Sequence, residues 1–180
     1  MTTAENDIAG TYTGVVPLGF MFNDGSTYGT GTLTATIQAR STISATVTFT
    51  TAKGTSLGSQ PLSLTYNALY DSGSSLSAIS GTYTDAADSS TITISTTGVI
   101  FSEDVSGCVL NGQVFLIDTS YDAYQISYTF SSCVGSTTFL NGATATGLGV
   151  LDTTASPNVL YVGVQIPASY YVLNGSYPMQ

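Results

Sequence analysis

The residues of this chain that could do acid–base chemistry are carboxylates, because the sequence has no histidine and its two cations are Arg40 and Lys53. A glycosidase needs two carboxylates across a sugar bond, one of them with a pKa raised by an apolar setting. Five acids are candidates for such a pair: Glu103, Asp104, Asp118, Asp122 and Asp152. Most acids of the chain lie beside Gly, Ser or Asn, where Asp commonly forms turns. We therefore expect turn formers, no catalytic residues, and a protein that is not an enzyme.

The missing residue types exclude several kinds of catalytic and cofactor site. Without histidine, no Ser-His-Asp or Cys-His arrangement can form, and the commonest zinc ligand is lacking. The single lysine lies in Thr-Ala-Lys-Gly, which is not a phosphate-binding loop. Calcium could find oxygen ligands in the loops 22–27, 71–75 and 85–90, but none has the spacing of a known calcium loop. The sequence therefore predicts neither a cofactor nor a metal ion.

The two cysteines have a spacing that predicts a disulfide within one hairpin. Residues 107–118 and 123–133 are predicted antiparallel strands, and a tight turn midway between them places Cys108 opposite Cys133. Directly opposed residues have about the Cα separation that a disulfide requires, and a disulfide indicates an oxidising compartment. We expect the disulfide on the outer face and the aromatic face in the core. The residues expected inside are Phe115, Ile117, Tyr124, Ile126, Tyr128 and Phe130.

Tyrosines concentrate near the C-terminus and are the candidate ligand or partner surface. Tyr has an apolar body and a polar tip, so an exposed cluster suits sugar stacking or protein contact. The alternative is that these rings fill the mouth of the fold or cover an edge strand. The candidate residues are Tyr161, Tyr170, Tyr171 and Tyr177.

The composition is that of a folded, acidic protein with few charges. Of its 180 residues, 42% are hydrophobic and only 7% are charged, and the net charge is −9. Two scattered cations cannot neutralise a phosphate backbone, so nucleic acid is excluded as a partner. An anionic membrane surface would repel the chain, and no apolar run reaches the length of a spanning helix.

Apolar residues alternate with Ser or Thr along most of the chain, which is the pattern of half-buried strands. In 43–50 the apolar positions are Ile43, Ala45, Val47 and Phe49. The pattern predicts roughly 9–11 antiparallel strands and an all-β fold, an antiparallel β-barrel of roughly 8–10 strands with a β-sandwich as the alternative. Glycines inside the strand patterns favour the barrel, because they mark strong bends. The other predicted strands are 10–16, 32–37, 62–66, 78–84, 91–95, 98–102, 143–151, 159–166 and 170–174.

Short motifs resemble known families of exported proteins. Gly10-Thr11-Tyr12-Thr13-Gly14 resembles the Gly-X-aromatic opening of lipocalin- and avidin-like barrels, which usually carry Trp. A second series resembles uncharacterised lipoproteins of Gram-negative bacteria over roughly the last 75 residues, by motif spacing. It runs Cys108…Asn111-Gly112…Ile117-Asp118…Tyr124…Cys133, then Leu140-Asn141-Gly142…Gly147-Leu148-Gly149…Leu151-Asp152. The resemblance implies export and a small all-β fold, without a known activity. The lipidated cysteine of such lipoproteins is not among the residues of this sequence.

Together these patterns predict a flexible segment over residues 1–9 and a single β-barrel domain over 10–180. The expected protein belongs to the bacterial cell envelope, periplasmic or anchored to the outer membrane, or is secreted. Its expected function is that of a binding or surface-interaction module for a small apolar ligand, a glycan or a protein, touching the membrane only through a lipid anchor. The alternatives are a structural subunit of a pilus or adhesin and, third, a carboxylate-based glycosidase.

Overall fold

The computed structural model describes residues 5–17, 19–85, 90–167 and 171–180, and the chain is all-β within them. The predicted all-β class is confirmed, with twelve described strands rather than nine to eleven. No helix in these ranges is long and apolar enough to cross a membrane. The short helices are α1 Leu76–Ile79 and two 3-10 turns, Ala68–Ser72 and Gly135–Leu140. The strands are β1 Glu5–Pro17, β2 Tyr28–Gln38, β3 Thr42–Thr51, β4 Ser56–Thr65, β5 Gly81–Thr84, β6 Thr91–Ile94, β7 Val99–Glu103, β8 Val109–Leu116, β9 Tyr124–Ser131, β10 Thr144–Asp152, β11 Val159–Ile166 and β12 Tyr171–Pro178.

The chain forms two compact units, residues 1–68 and 69–180. The first unit is a four-stranded antiparallel meander in the order β4-β3-β2-β1. Its register pairs Thr34 with Thr46 and Thr46 with Pro61, so alternate residues of neighbouring strands share a face. One face of the sheet therefore carries rows of Thr and Ser, and the other carries the apolar residues, as the alternation predicts.

An aromatic cluster packs on the apolar face of the first unit. The ring of Phe49 lies 6.1 Å from that of Tyr12 and 5.2 Å from that of Phe22, measured between centroids. Gly14 lies beneath this ring, where a Cβ would come within 2.6 Å of Cε2 of Phe49. Glycine is required there because the aromatic ring occupies the volume of a side chain.

The second unit is an eight-stranded antiparallel meander in which β5 to β12 are neighbours in chain order. Its first and last strands meet at a single bridge between Tyr83 and Met179. Beside the bridge, the N–H of Gln180 donates to the carbonyl oxygen of Thr82 at 2.8 Å. The described strands confirm the all-β prediction. A closed barrel is not shown, because no described ladder joins β5 to β12.

The core of the second unit is filled by the inward-facing residues of its strands. The hydroxyl of Tyr83 donates to the carbonyl oxygen of Ile79 at 2.7 Å, and burial raises the pKa of Tyr83 to about 12. The cavity that remains in the centre is only about 60 Å³. The core residues include Ile79, Tyr83, Ile94, Ile100, Val114, Tyr124, Ile126, Phe130, Leu151, Leu160, Val164 and Ile166.

The β8–β9 hairpin differs from the predicted register by one residue. Val109 pairs with Ser131 and Val114 with Ile126, so Phe115 lies opposite Gln125 instead of Ile126. Ser132, with a φ of 59°, lies between the last pair of the ladder and Cys133, so Cys133 reaches Cys108 from outside the ladder. The expectation that Phe115 and Ile117 are core residues is therefore wrong, because both point outward and are exposed. The predicted inward face of β9 is correct at Tyr124, Ile126 and Phe130.

Two further predictions are modified by the structure. The strand predicted over 78–84 begins only at Gly81, because Ser75 starts a helical turn by accepting the N–H of Ala78 with its side chain. Strand β1 begins at Glu5, inside the segment 1–9. The flexibility of that segment and the single domain over 10–180 stay predictions.

Candidate binding site

The structure separates the tyrosines that the sequence singles out. Tyr161 lies on the outer face of β11 and is 45% exposed. Tyr171 and Tyr177 lie opposite the buried residues Ile166 and Leu160, so they belong to the inner face. Tyr177 lines the central cavity, and the ring of Tyr171 lies 6.1 Å from that of Phe139. Tyr170 falls outside the described residues.

Tyr161 belongs to a broad surface on the outer face of β8 to β12, which we call the outer platform. Its first row crosses five strands in direct register and consists of Phe115, Gln125, Leu148, Gly163 and Asn174. The second row is adjacent and consists of Val150, Tyr161 and Ser176. With strands about 4.8 Å apart, five strands make the first row about 19 Å long.

A shallow groove of about 580 Å³, wide open to solvent, lies between the two rows of the outer platform. Leu148 and Tyr161 line it on the side of β10 and β11, and Asn174 and Ser176 line it on β12. Gly163 forms an open part of its floor, because a Cβ built there meets no atom within 4 Å. The groove thus combines an aromatic ring, an aliphatic side chain, an amide and a hydroxyl, the mixture that suits adaptable recognition.

The rows of the outer platform carry amides and no charge, whereas Asp152, two residues beyond Val150 on the same face of β10, places one carboxylate at their edge. Phe115 is 48% exposed, and the amide of Gln125 lies directly opposite it. A third row on the same face adds Gln113 and Gln165 through the pairs Gln113–Ser127, Ser127–Thr146 and Thr146–Gln165. The side chains of these three rows are all neutral. A surface of this kind favours a neutral polar ligand over an ionic one.

The candidate acids act mainly as local backbone caps. Asp104 accepts the N–H of Ser106 at 2.7 Å and that of Cys108 at 3.0 Å. Hydrogen bonds, the one from the side chain of Ser106 foremost, hold the pKa of Asp104 below its ordinary value. Asp118 accepts the N–H of Ser120 at 2.9 Å, and Asp152 accepts that of Thr154 at 2.9 Å. These contacts agree with the turn-forming role that the sequence predicts.

Asp122 differs from the other candidate acids because it is buried. Both oxygens of its carboxyl group accept the N–H of Leu151, at 3.2 and 3.0 Å, and its own N–H donates to the carbonyl oxygen of Tyr70. Burial raises the pKa of Asp122, the hydrogen bond from Leu151 lowers it, and the charge of Asp152 adds to the increase. The residue joins the β8–β9 loop to β10 and is not directed at the groove.

The predicted disulfide between Cys108 and Cys133 is present and buried. Its placement on the outer face of the hairpin was wrong, because Cys108 shares the inward side of β8 with Leu110 and Val114. Asn141 clamps Cys133 by accepting its N–H at 2.8 Å and donating to its carbonyl oxygen at 2.9 Å. In the β7–β8 turn, the carboxylate of Asp104 accepts the N–H of Cys108 at 3.0 Å, and the backbone N–H of Asp104 donates to the carbonyl oxygen of Cys108 at 3.0 Å. The sequence does not predict the role of Asn141, because this residue and Cys133 are eight positions apart and the 3-10 turn Gly135–Leu140 brings them together.

The first unit has a second groove, of about 710 Å³, that crosses its four strands. Part of its lining is one row of the hydroxyl face, which consists of Asp7, Thr36, Ser44 and Ser63. The neighbouring row, which contains Thr34, also lines the groove. Thr36 donates its hydroxyl hydrogen to the carboxylate of Asp7 at 2.9 Å, so part of the row is engaged internally. This groove has no aromatic side chain in its lining.

Of the groove residues in the outer platform, sequence reasoning found Tyr161 and missed Leu148, Gly163 and Asn174. Their common face depends on the register of three strand pairs, which alternation within each strand does not reveal. Comparison of the chain with protein-family models, with curated proteins and with solved structures found no match.

Proposed function

We propose that this protein is a non-enzymatic, exported binding module that holds a neutral glycan on the outer platform. The observation that carries the proposal is the groove between Tyr161 and Asn174, in which an exposed ring lies near an amide and a hydroxyl. A Tyr ring offers an apolar face to the C–H side of a sugar, and amides can both donate to and accept from its hydroxyls. The buried disulfide supports export, because such bonds persist in oxidising compartments.

The outer platform is a better site than the interior for the expected ligand. A small-molecule site usually occupies about 300–1,000 Å³, which the central cavity of about 60 Å³ does not approach. We infer that the second unit is a small barrel with a filled centre, its seam joined at the bridge between Tyr83 and Met179. An eight-stranded barrel has an interior that side chains can just fill, which supports this reading.

A glycan microarray with both neutral and anionic oligosaccharides tests the proposal, followed by calorimetric titration of the best neutral sugar. We expect binding to neutral sugars, and a loss of about tenfold in affinity for Tyr161→Ala, because one ring contact is worth about 1.4 kcal/mol. The matched control is Tyr70→Ala, since Tyr70 is 44% exposed and stacks on Tyr121 away from the groove lining. Unchanged affinity in Tyr161→Ala, or binding restricted to anionic sugars, would overturn the proposal.

Filling the groove gives an independent test that removes no side chain. Gly163→Val places a branched side chain in the open floor of the groove, and a strand tolerates valine well. We expect weaker glycan binding with the fold preserved. Gly10→Val is the control, because Gly10 also lies in a strand and a Cβ there meets no atom within 4 Å. Equal affinities of the two variants would remove the groove from the binding surface.

The alternative of a pilus or adhesin subunit rests on the edge of the first unit. Among the described residues, β4 pairs only with β3, and all ten of its residues are exposed. An unpaired edge can accept a strand from another molecule. Pro61, which lacks an N–H, and the register shift between Thr48 and Thr50 both blunt this edge. Such features protect an edge from pairing, so we favour the binding module. Polymers in electron micrographs of the purified protein would favour the subunit instead.

A further inference from the structure

The loop between β1 and β2 exposes two large apolar side chains at its tip. Phe20 is 66% exposed and Met21 is 68% exposed, and they are adjacent in the chain. A single exposed apolar residue is ordinary, whereas these two neighbours form a small contiguous apolar patch at the tip of one loop. The groove and the outer platform of the second unit do not include this tip.

The loop is held by internal hydrogen bonds rather than by contacts of the two exposed side chains. The N–H of Phe20 donates to the carbonyl oxygen of Pro17 at 3.0 Å, and the N–H of Phe22 donates to the carbonyl oxygen of Ser26 at 2.8 Å. The N–H of Gly25 donates to the carbonyl oxygen of Phe22 at 2.8 Å. The N–H groups of Phe20 and Phe22, on either side of Met21, are therefore satisfied within the loop and lose no hydrogen bond to water when they enter an apolar environment.

Two further contacts fix the base of the loop to the sheet. Phe22 turns inward and packs on Phe49, opposite in direction to its exposed neighbours. Asp24 accepts hydrogen bonds from the N–H of Ser26 and the hydroxyl of Thr51, and these bonds hold its pKa well below the ordinary value. Nζ of Lys53 donates to the carbonyl oxygen of Asp24 at 2.6 Å, which brings a cation to the base of the loop.

The distribution of charge distinguishes the unit that carries the tip. Both cations of the sequence, Arg40 and Lys53, lie in residues 1–68 together with three acids, so this unit has a net charge of −1. The other eight acids lie in residues 69–180 without a cation, which gives −8. The first unit can therefore approach a neutral surface without strong repulsion, whereas an anionic surface would still repel the whole chain.

We propose that Phe20 and Met21 insert into a zwitterionic lipid surface and hold the protein against it. Phe and other large apolar residues bind the boundary between headgroups and acyl chains when they project from an otherwise polar element. The two exposed side chains, the internally bonded N–H groups of Phe20 and Phe22 and the small net charge of the unit all favour such insertion. The contact is peripheral and reversible, because only two side chains enter the lipid.

A tryptophan reporter tests insertion directly, since the chain contains no tryptophan. Phe20→Trp gives a single fluorophore at the tip, and its emission is recorded with vesicles of phosphatidylcholine alone. We expect a shift to shorter wavelength as the ring leaves water. The control is Val105→Trp, because Val105 is 84% exposed on the acidic unit and should stay in water. An unshifted spectrum of Phe20→Trp, or an equal shift in both variants, would overturn the proposal.

Vesicle co-sedimentation measures the contribution of each side chain. Burying a Phe or Met side chain is worth about 1.5–3 kcal/mol, so Phe20→Ser and Met21→Ser should each lower partitioning onto phosphatidylcholine about tenfold or more. Val105→Ser should leave partitioning unchanged. Mixed vesicles with phosphatidylglycerol should bind more weakly. Stronger binding to the mixed vesicles would contradict the charge argument, and a tip that mediates self-association without binding lipid would identify a protein contact instead.

Discussion

Asp122 is the one candidate acid whose surroundings, rather than its sequence neighbours, determine its properties. It is buried, and Leu151 is the donor that its carboxyl group meets. Because burial raises its pKa, the folded protein binds this proton more tightly than the unfolded chain does. Its contribution to stability is therefore fully present below pH 3.8, the ordinary pKa of Asp, and is lost as the pH rises through the raised value.

Asp122→Asn should remove this loss, because an amide keeps an acceptor for the N–H of Leu151 and does not ionise. The free energy of unfolding of the variant relative to the wild type should rise as the pH is increased from about 4 to 7, measured by urea denaturation. Asp104→Asn is the control with the opposite sign. The pKa of Asp104 is lowered below 3.8, so its contribution to the wild type is lost only in more acidic solution; the stability of that variant relative to the wild type should fall as the pH rises toward about 4 and stay constant from there to pH 7. Parallel profiles for the two variants would contradict this account of Asp122.

Glycines inside the strands should differ sharply in their tolerance of alanine. A Cβ at Gly112 would overlap the carbonyl oxygen of Ser127 and press on the backbone of Tyr128, so Gly112→Ala should cost about 1–3 kcal/mol. Gly163→Ala meets open space and should be neutral or stabilising by up to about 1 kcal/mol. Thermal unfolding of both variants measures the difference. Similar losses at the two positions would show that these strands do not lie as close as the structure has them.

At the scale of strands and hairpins, the sequence predicts the kind of element better than its face. Alternation locates β11 over 159–166 without error, and it assigns β3 and β9 the correct inward residues. It fails for β8, because the loop 117–123 sets a register one residue away from the predicted one, and a shift of one residue exchanges the two faces. Phe115, predicted to lie in the core, is consequently found on the exposed outer platform. The same limit explains why Tyr161 was found while Gly163 was missed.

The disulfide should stabilise the second unit by joining β8 to the end of β9. Removing a native disulfide typically costs about 2–5 kcal/mol. The double variant Cys108→Ser, Cys133→Ser should therefore have a free energy of unfolding lower by that amount, seen in urea denaturation as a lower midpoint. Reductant should lower the midpoint of the wild type and leave that of the variant unchanged. Peptide mapping without reductant should recover the two cysteine peptides linked. Free thiols in protein from its natural source would contradict both the pairing and the oxidising compartment.

At the scale of the molecule, charge and surface chemistry assign different properties to the two units. The second unit combines a strongly negative overall charge with an outer platform whose rows of side chains are neutral. An anionic glycan would be repelled by the unit as a whole, whereas a neutral glycan meets rings and amides without that penalty. The first unit carries the apolar tip and both cations. The two proposed contacts, a glycan on the second unit and a lipid surface on the first, therefore make different demands on charge and can coexist on one small protein.

The central claim, a neutral-glycan surface on the outer platform, is tested most directly by mapping amide chemical shifts. The isotope-labelled protein is titrated with the neutral oligosaccharide that binds best on the microarray. We predict that the shifts concentrate in β10 to β12 around Leu148, Tyr161, Gly163 and Asn174, and that Gly163→Val reduces them. Shifts confined to residues of the first unit, or no shifts with any neutral oligosaccharide, would contradict the claim.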